Sequence, residues 1–280
     1  MKYSLSTLVQ APKAGWQPAP SRDKRLALYT FAADSGFDGI EWSPRWLDFH
    51  RFSHARLRSL KSEVNDHGLC ISGINLNRFY LTGSPEAYQY RERLRRTFEV
   101  AEVFEAETVV LSLGMAGEHG KVETGKGVSD LDFARTVELL RQEVDFAGES
   151  GITLTLELHD SGPLDTAELA LRMVEIIGRA RVGINPDLGN IMRDPSRPQD
   201  WRQALTLSLD RMTYWHVKNY SMGKPSPLWE GDIDYREAFT QVYAHGYRGW
   251  ISIESFYGDR QLELQKASLD WLRRLERGFV

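Results

Sequence analysis

Four side chains able to hold a divalent cation recur at strand-like positions in this 280-residue sequence: Glu157, Asp187, His216 and Glu254. Successive side chains on a strand face opposite ways, so alternate residues share a side. In ITLTLELH, Thr153, Thr155, Glu157 and His159 oppose Leu154, Leu156 and Leu158. In VGINPD, Gly183, Asn185 and Asp187 oppose Val182, Ile184 and Pro186, and in TYWHVK, Tyr214, His216 and Lys218 oppose Thr213, Trp215 and Val217. In WISIE, Trp250, Ser252 and Glu254 oppose Ile251 and Ile253. If the apolar faces meet helices, the polar faces point the other way, and four successive strands each deliver one candidate ligand. Three carboxylates confined together repel one another and raise each other's pKa unless a cation is present. Three oxygen donors and one imidazole suit Mn²⁺ best, and Mg²⁺, Co²⁺ or Zn²⁺ fit the same donors. A lone glutamate at a strand end is usually only a rim residue. Four in phase point to a shared ion, because unpaired buried charges are so costly.

These runs belong to a longer alternation of short apolar stretches with helical periodicity. The strand candidates are Tyr3 to Leu8, Asp38 to Trp42, Cys70 to Asn75, Thr108 to Leu113, Thr153 to His159, Val182 to Asp187, Thr213 to Lys218 and Trp250 to Glu254. The clearest helices between them are RERLRRTFEVAEVF and LDFARTVELLRQEVDFAGES. Gly36, Gly68, Gly151 and Gly246 fall where a left-handed residue ends a helix just before the next strand. Repeated βα units imply a parallel sheet, and eight of them predict closure into a (β/α)8 barrel, an α/β fold spanning residues 1–280 as one domain. The candidate ligands then lie at the carboxyl ends of the strands, where barrel active sites form. An open doubly wound sheet is the fallback, but no Gly-x-Gly-x-x-Gly follows the first strand.

Composition removes other classes. With 41% hydrophobic and 26% charged residues and a net charge of −4, the chain is that of an ordinary globular protein, without the concentrated positive field that nucleic-acid binding requires. The one cysteine, Cys70, excludes an internal disulfide and a zinc ribbon, so a reducing, cytoplasmic setting is expected. No apolar run approaches a membrane span, and the start MKYSLSTLVQ has no apolar stretch behind its lysine, so neither export nor anchoring is expected.

At the same residues the sequence resembles the xylose isomerase-like TIM-barrel superfamily, in its sugar phosphate isomerase/epimerase branch. LTLELH is similar to that family's fifth-strand Glu motif, GINPDLGN to its Asp-x-Gly-His/Asn motif, WHVKNY to its His-x-Lys-Asp/Asn motif and GWISIES to its terminal Gly-x-Ile-x-Ile-Glu. The resemblance implies metal ligation by Glu157, Asp187, His216 and Glu254. GFDGIEW resembles the second-strand motif and puts Glu41 near the site; EGDIDY resembles a segment before the last strand and includes Asp232. Two departures stand out: Asn190 where many epimerases carry a second His, and Lys218 in place of an Arg-bearing loop.

The resemblance implies a metal-dependent isomerase or epimerase acting on a sugar or keto-sugar. Glu157 and Glu254 would exchange protons at the carbon beside the carbonyl, and Lys218 and His159 would hydrogen-bond the developing oxyanion of an enediolate. His159 equally suits support of a ligand. Substrate contacts are expected from Glu41, Asn75, Asn190, Trp16, Trp42 and Asp232, although each aromatic alone is more often packing. The runner-up is a lyase or dehydratase that expels a β-hydroxyl or glycosyl oxygen after the same proton abstraction. A phosphodiesterase of the endonuclease IV type, which shares the fold, needs more ligands than remain. His67 and His245 read as helix-end caps, and His50, His54 and His119 as loop or helix-start residues. A non-catalytic sugar-binding subunit conflicts with an intact ligand set. Lys224 and Arg260 are the only obvious cations in the loops after the last two strands, which favours a non-phosphorylated or glycosidic substrate. Aromatics in the early loops suggest a homodimer or homotetramer.

Overall fold

A computed structural model of the chain describes residues 1–11, 19–80, 87–114, 128–148, 150–160, 162–194 and 199–279. Among these residues eight parallel strands form one sheet: β1 (Lys2–Ser6), β2 (Gly39–Trp42), β3 (Cys70–Tyr80), β4 (Thr108–Gly114), β5 (Thr153–Glu157), β6 (Val182–Asn185), β7 (Trp215–Val217) and β10 (Trp250–Ile253). Their spatial order, β6-β5-β4-β3-β2-β1-β10-β7, wraps around until β6 and β7 face each other. The expected (β/α)8 barrel is therefore the fold. Helices α1 (Arg22–Ser35), α2 (His54–Asn65), α3 (Ala87–Phe104), α4 (Asp130–Ala147), α5 (Ala167–Ile177), α6 (Leu188–Met192), α7 (Trp201–Ser208), α8 (Tyr235–Ala244) and α9 (Gln261–Arg277) fall between and after the strands.

Local chemistry sets these boundaries. Ser21, Ser53, Ser129 and Thr166 cap α1, α2, α4 and α5, each side-chain oxygen accepting a backbone N–H three residues on. Gly36, Gly68, Gly151 and Gly246 hold φ between +73° and +93° ahead of the next strand, as the helix-ending pattern requires. His67 Nδ1 lies 2.8 Å from the Glu63 carbonyl, and so caps α2.

Strand ends differ from the expected ones. After Ser6 the chain turns into a 3₁₀ segment, Thr7–Gln10, whereas β3 runs on to Tyr80. An antiparallel ribbon, β8 (Asn219–Ser221) with β9 (Lys224–Ser226), follows β7 and had no counterpart in the expected pattern. The side-chain phase is as read from the sequence except at Thr213, expected beside Trp215 and Val217, which lies before β7 begins and turns its hydroxyl to the inward Thr155 at 2.8 Å. Tyr214 and Trp250 plug the barrel floor with Val110, while Leu154, Leu156, Leu158, Ile184, Trp215, Val217, Ile251 and Ile253 join the core beneath the helices.

Closure between β6 and β7 is sparse. Among the described residues it consists of a parallel bridge between Ile184 and Met212, a 3.1 Å bond from Thr213 N–H to the Ile184 carbonyl and a 2.7 Å bond from His216 N–H to Asn185 Oδ1. A side-chain amide thus replaces a missing rung at the level of a candidate ligand.

Candidate metal centre

The carboxyl ends of β5, β6, β7 and β10 bring Glu157, Asp187, His216 and Glu254 together, all buried, with one ligand atom from each within 4.8 Å of the others. Asp187 serves two purposes. Its Oδ1 accepts the Asn190 N–H at 3.0 Å as the cap of α6, while Oδ2 turns to the cluster. The turn lies tight against β7: a Cβ on Gly189 would come 2.4 Å from Lys218 Cγ and 2.6 Å from the Lys218 carbonyl, so this position excludes a larger residue.

His216 is held from both sides. Nδ1 lies 2.9 Å from Glu157 Oε1, 3.6 Å from Asp187 Oδ2 and 3.7 Å from Glu254 Oε2, while Nε2 lies 2.5 Å from Glu41 Oε1. Burial opposes charge on the imidazole, but Glu41 and Glu254 outweigh it and raise its pKa well above the ordinary value. Lys218 Nζ sits 2.5 Å from Glu254 Oε2 and 2.7 Å from Asp187 Oδ2, and these two carboxylates overcome the cost of burial to keep the ammonium charged. Burial pushes the Glu254 carboxyl up to about 7 despite Lys218 and His216.

Asparagines hold the two glutamates. Asn75 donates to Glu254 Oε1 at 2.6 Å; Asn190 donates to Glu157 Oε1 at 3.2 Å and to the Leu158 carbonyl at 3.0 Å. Glu157 Oε2 is buried without a hydrogen-bond partner among the described residues, as are Oδ1 of Asn75 and of Asn190.

Above the cluster opens a cavity of about 380 Å³ lined by Glu157, Glu254, Lys218, His159 and Asn190. His159 is nearly buried on its wall, with Nδ1 3.2 Å from Asp160 Oδ1, and Arg193 donates to both oxygens of Asp160. Burial alone would raise the Asp160 carboxyl, but His159 and Arg193 hold it well below the usual carboxylate range.

Three expected substrate contacts lie elsewhere. Glu41 is wholly buried behind His216, bonded to its far nitrogen and, at 3.2 Å, to Ser252 Oγ. Trp42 takes the opposite face of β2 and packs against Phe104 at 5.0 Å and Trp46 at 5.7 Å, because the residue after an inward Glu must point to the helices. Asp232 is exposed and accepts the Met222 N–H at 3.1 Å, pinning the β8–β9 turn. Trp16 lies outside the described residues.

Sequence reasoning missed Asn77, Arg45, Arg193 and Tyr220, which also line the cavity. Asn77 shares the face of Asn75 and was legible once β3 extended two residues further; Arg193 follows Asn190 by one helical step. Arg45 and Tyr220 carry no such signal. The cations around this cavity are thus Lys218, Arg45 and Arg193, whereas Arg260 is taken up by Glu263 on the surface.

Residues 29–275 match the family described as xylose isomerase-like TIM barrel. The chain belongs to that family. An L-ribulose-5-phosphate 3-epimerase, UlaE, of Salmonella heidelberg (strain SL476) is 24% identical over 268 residues, which cover 91% of this chain and 90% of that protein. A xylose isomerase-like TIM barrel protein from Mycobacterium smegmatis, solved in complex with magnesium, superposes with a TM-score of 0.81 at 22% identity, covering 98% of this chain and 95% of that one. The probable 3-DHS dehydratase AsbF from Bacillus anthracis superposes with a TM-score of 0.78 at 19% identity, covering 98% and 99%. The two solved structures share the barrel, and the relative is a sugar epimerase, which supports an enzyme of the epimerase or isomerase kind. No helix among the described residues is long and apolar enough to cross a membrane.

Proposed function

We propose that this family member is a divalent-metal-dependent sugar isomerase or epimerase, with Glu157, Asp187, His216 and Glu254 as the metal ligands. The observation that carries the reading is the convergence of their four ligand atoms within 4.8 Å. The donor set fits a cation on a second ground. Glu157 Oε2, buried without a hydrogen-bond partner among the described residues, is the kind of atom that is costly to leave unsatisfied. When bound, an ion such as Mn²⁺ would supply a Lewis acid that lowers the energy of an enediolate.

The proton work falls to the chain's own residues. One of Glu157 and Glu254 removes the proton from the carbon beside the substrate carbonyl, and the other returns one to the opposite face, which inverts that centre. Asn75 and Asn190 keep the two carboxylates in place through the hydrogen bonds that their side-chain amides donate, and Asn190 Oδ1 accepts a hydrogen bond from a substrate hydroxyl. Lys218 Nζ, beside Glu254, donates to the developing oxyanion. His159, on the cavity wall, completes the set.

Metal content by plasma spectrometry on wild type beside Glu254→Gln and His216→Ala tests the ligand set. A keto-sugar screen in D₂O, covering phosphorylated and unphosphorylated pentuloses and hexuloses, tests the chemistry. The expected result is one divalent ion per chain, lost in the variants, with deuterium entering next to the carbonyl. A wild type that takes up no ion from Mn²⁺, Mg²⁺, Co²⁺ or Zn²⁺ overturns the reading.

Elimination is the second reading, favoured by the His159–Asp160 contact, which orients an acid on the wall where a leaving β-hydroxyl or glycosyl oxygen would need a proton. A conjugated enone absorbing in the ultraviolet would decide for it, and products that are only isomers would decide against it.

A further inference from the structure

His216 has two ring nitrogens, and the neutral ring carries a proton on only one. Nδ1 faces Glu157, Asp187 and Glu254; Nε2 faces Glu41, 2.5 Å away. Glu41 stands on β2, which is separated from β7 in the sheet by β1 and β10. Its side chain therefore spans the barrel interior, and small inward residues leave it room. Ser6 pairs in register with Glu41, and Ser252 pairs with both His216 and Ser4, so the inward positions of the two intervening strands beside Glu41 and His216 are serines. Ser252 Oγ donates to Glu41 Oε2 at 3.2 Å and fixes the second oxygen. Glu41 is fully buried and is not among the residues that line the cavity. A buried carboxylate held across a barrel, against one nitrogen of one imidazole, has the geometry of an outer partner to a metal-binding histidine.

We propose that Glu41 is a positioning residue: by accepting the proton on Nε2 of His216, it fixes the tautomer whose Nδ1 lone pair points at the metal, and its negative charge strengthens that nitrogen as a donor. The inference rests on the metal-centre reading above. It assigns Glu41 to the affinity of the site and Ser252 to the orientation of Glu41.

The test uses the full chain with Mn²⁺ affinity read by electron paramagnetic resonance, and ¹⁵N-histidine NMR of the Zn²⁺-loaded protein reading the tautomer. Wild type is expected to bind one ion with His216 protonated on Nε2. Glu41→Ala is expected to weaken Mn²⁺ binding about 10- to 100-fold. Glu41→Gln keeps the shape, but its amide can donate to Nε2 as well as accept, so about tenfold weaker binding and a mixed tautomer are expected. Ser252→Ala is expected to weaken binding two- to fivefold. Glu41→Ala and Glu41→Gln proteins that bind Mn²⁺ like wild type, with the tautomer unchanged, overturn this inference and leave the metal centre standing. A wild type that binds no ion overturns the metal centre, and the inference with it. Should Glu41→Ala fail to fold, the Gln variant decides by affinity and tautomer together.

Discussion

The barrel interior has two storeys built from the same strands. The lower one pairs neutral hydroxyls: Tyr214 OH meets Ser72 Oγ at 2.8 Å and Ser4 Oγ at 3.1 Å, and Thr155 Oγ1 meets Thr108 and Thr213 at 2.7 and 2.8 Å. The upper one gathers Glu41, Glu157, Asp187 and Glu254 around one imidazole and one ammonium, and leaves Glu157 Oε2 and the Asn75 and Asn190 amide oxygens unpartnered among the described residues. Hydroxyls both donate and accept, so they can satisfy one another without outside help. Carboxylates only accept, and packing four of them together stabilises nothing by itself. The lower storey is therefore self-sufficient, whereas the upper one is costly unless a ligand joins it, as the proposed metal would.

The sharpest way to break this contrast is to neutralise one upper carboxylate. Glu254→Gln is expected to cut turnover of any substrate found for the wild type by about 10³- to 10⁴-fold, in the range for a lost acid–base group, while the metal-free protein keeps or gains thermal stability. A variant that loses stability and keeps turnover would show that the upper storey is structural. The reverse change is Tyr214→Phe, which strips two serines of their partner. It is expected to cost about 1–3 kcal/mol by chemical denaturation with metal affinity unchanged; an equal loss of affinity would merge the two storeys into one network.

How much of this was legible in the sequence follows from the same division. Strand phase is a period-two property, so ITLTLELH and WISIE expose their inward faces without any coordinates. All four candidate ligands are placed by it. What phase cannot supply is reach. Glu41 is inward, as read, yet whether it meets substrate or the back of an imidazole depends on the serines of two neighbouring strands, which only register reveals. Trp42 drew attention by its place at the end of β2, yet an aromatic beside an inward Glu takes the helix side, where it packs on Phe104. Asp232 was misplaced by motif, since the β8–β9 ribbon that claims its carboxylate rests on a tight Met222–Gly223 turn with φ of 51° and 75°, which no apolar pattern announces.

Acid sharpens the contrast further, because only the upper storey titrates near neutrality. Burial raises the Glu254 carboxyl from 4.5 to about 7, so the fold favours its protonated form. That contribution to metal-free stability is complete below about pH 4.5 and is lost as pH rises through about 7. Metal binding needs the carboxylate, so Mn²⁺ affinity moves the opposite way, climbing by up to about tenfold per pH unit towards 7. His216, whose pKa is raised by Glu41 and Glu254 against the pull of burial, extends the climb above 7. Binding isotherms from pH 5.5 to 8.5, set beside melting curves of the metal-free protein, should slope in opposite directions. A flat affinity would mean that neither group releases a proton to solvent when the ion binds.

The smallest effect separates the cavity from its rim. If Asp232 only pins the turn of the ribbon, Asp232→Asn keeps an acceptor for the Met222 N–H and should change stability by less than about 0.5 kcal/mol, the usual range at exposed positions. KM should then stay within twofold of wild type. Asn190→Ala, which removes from the cavity lining an amide hydrogen-bonded to Glu157, should raise KM at least tenfold in the same assay. A comparable rise in KM from Asp232→Asn would mean that the ribbon folds over bound substrate and brings Asp232 into the site, and the boundary between site and surface would have to move outward to include the β8–β9 turn.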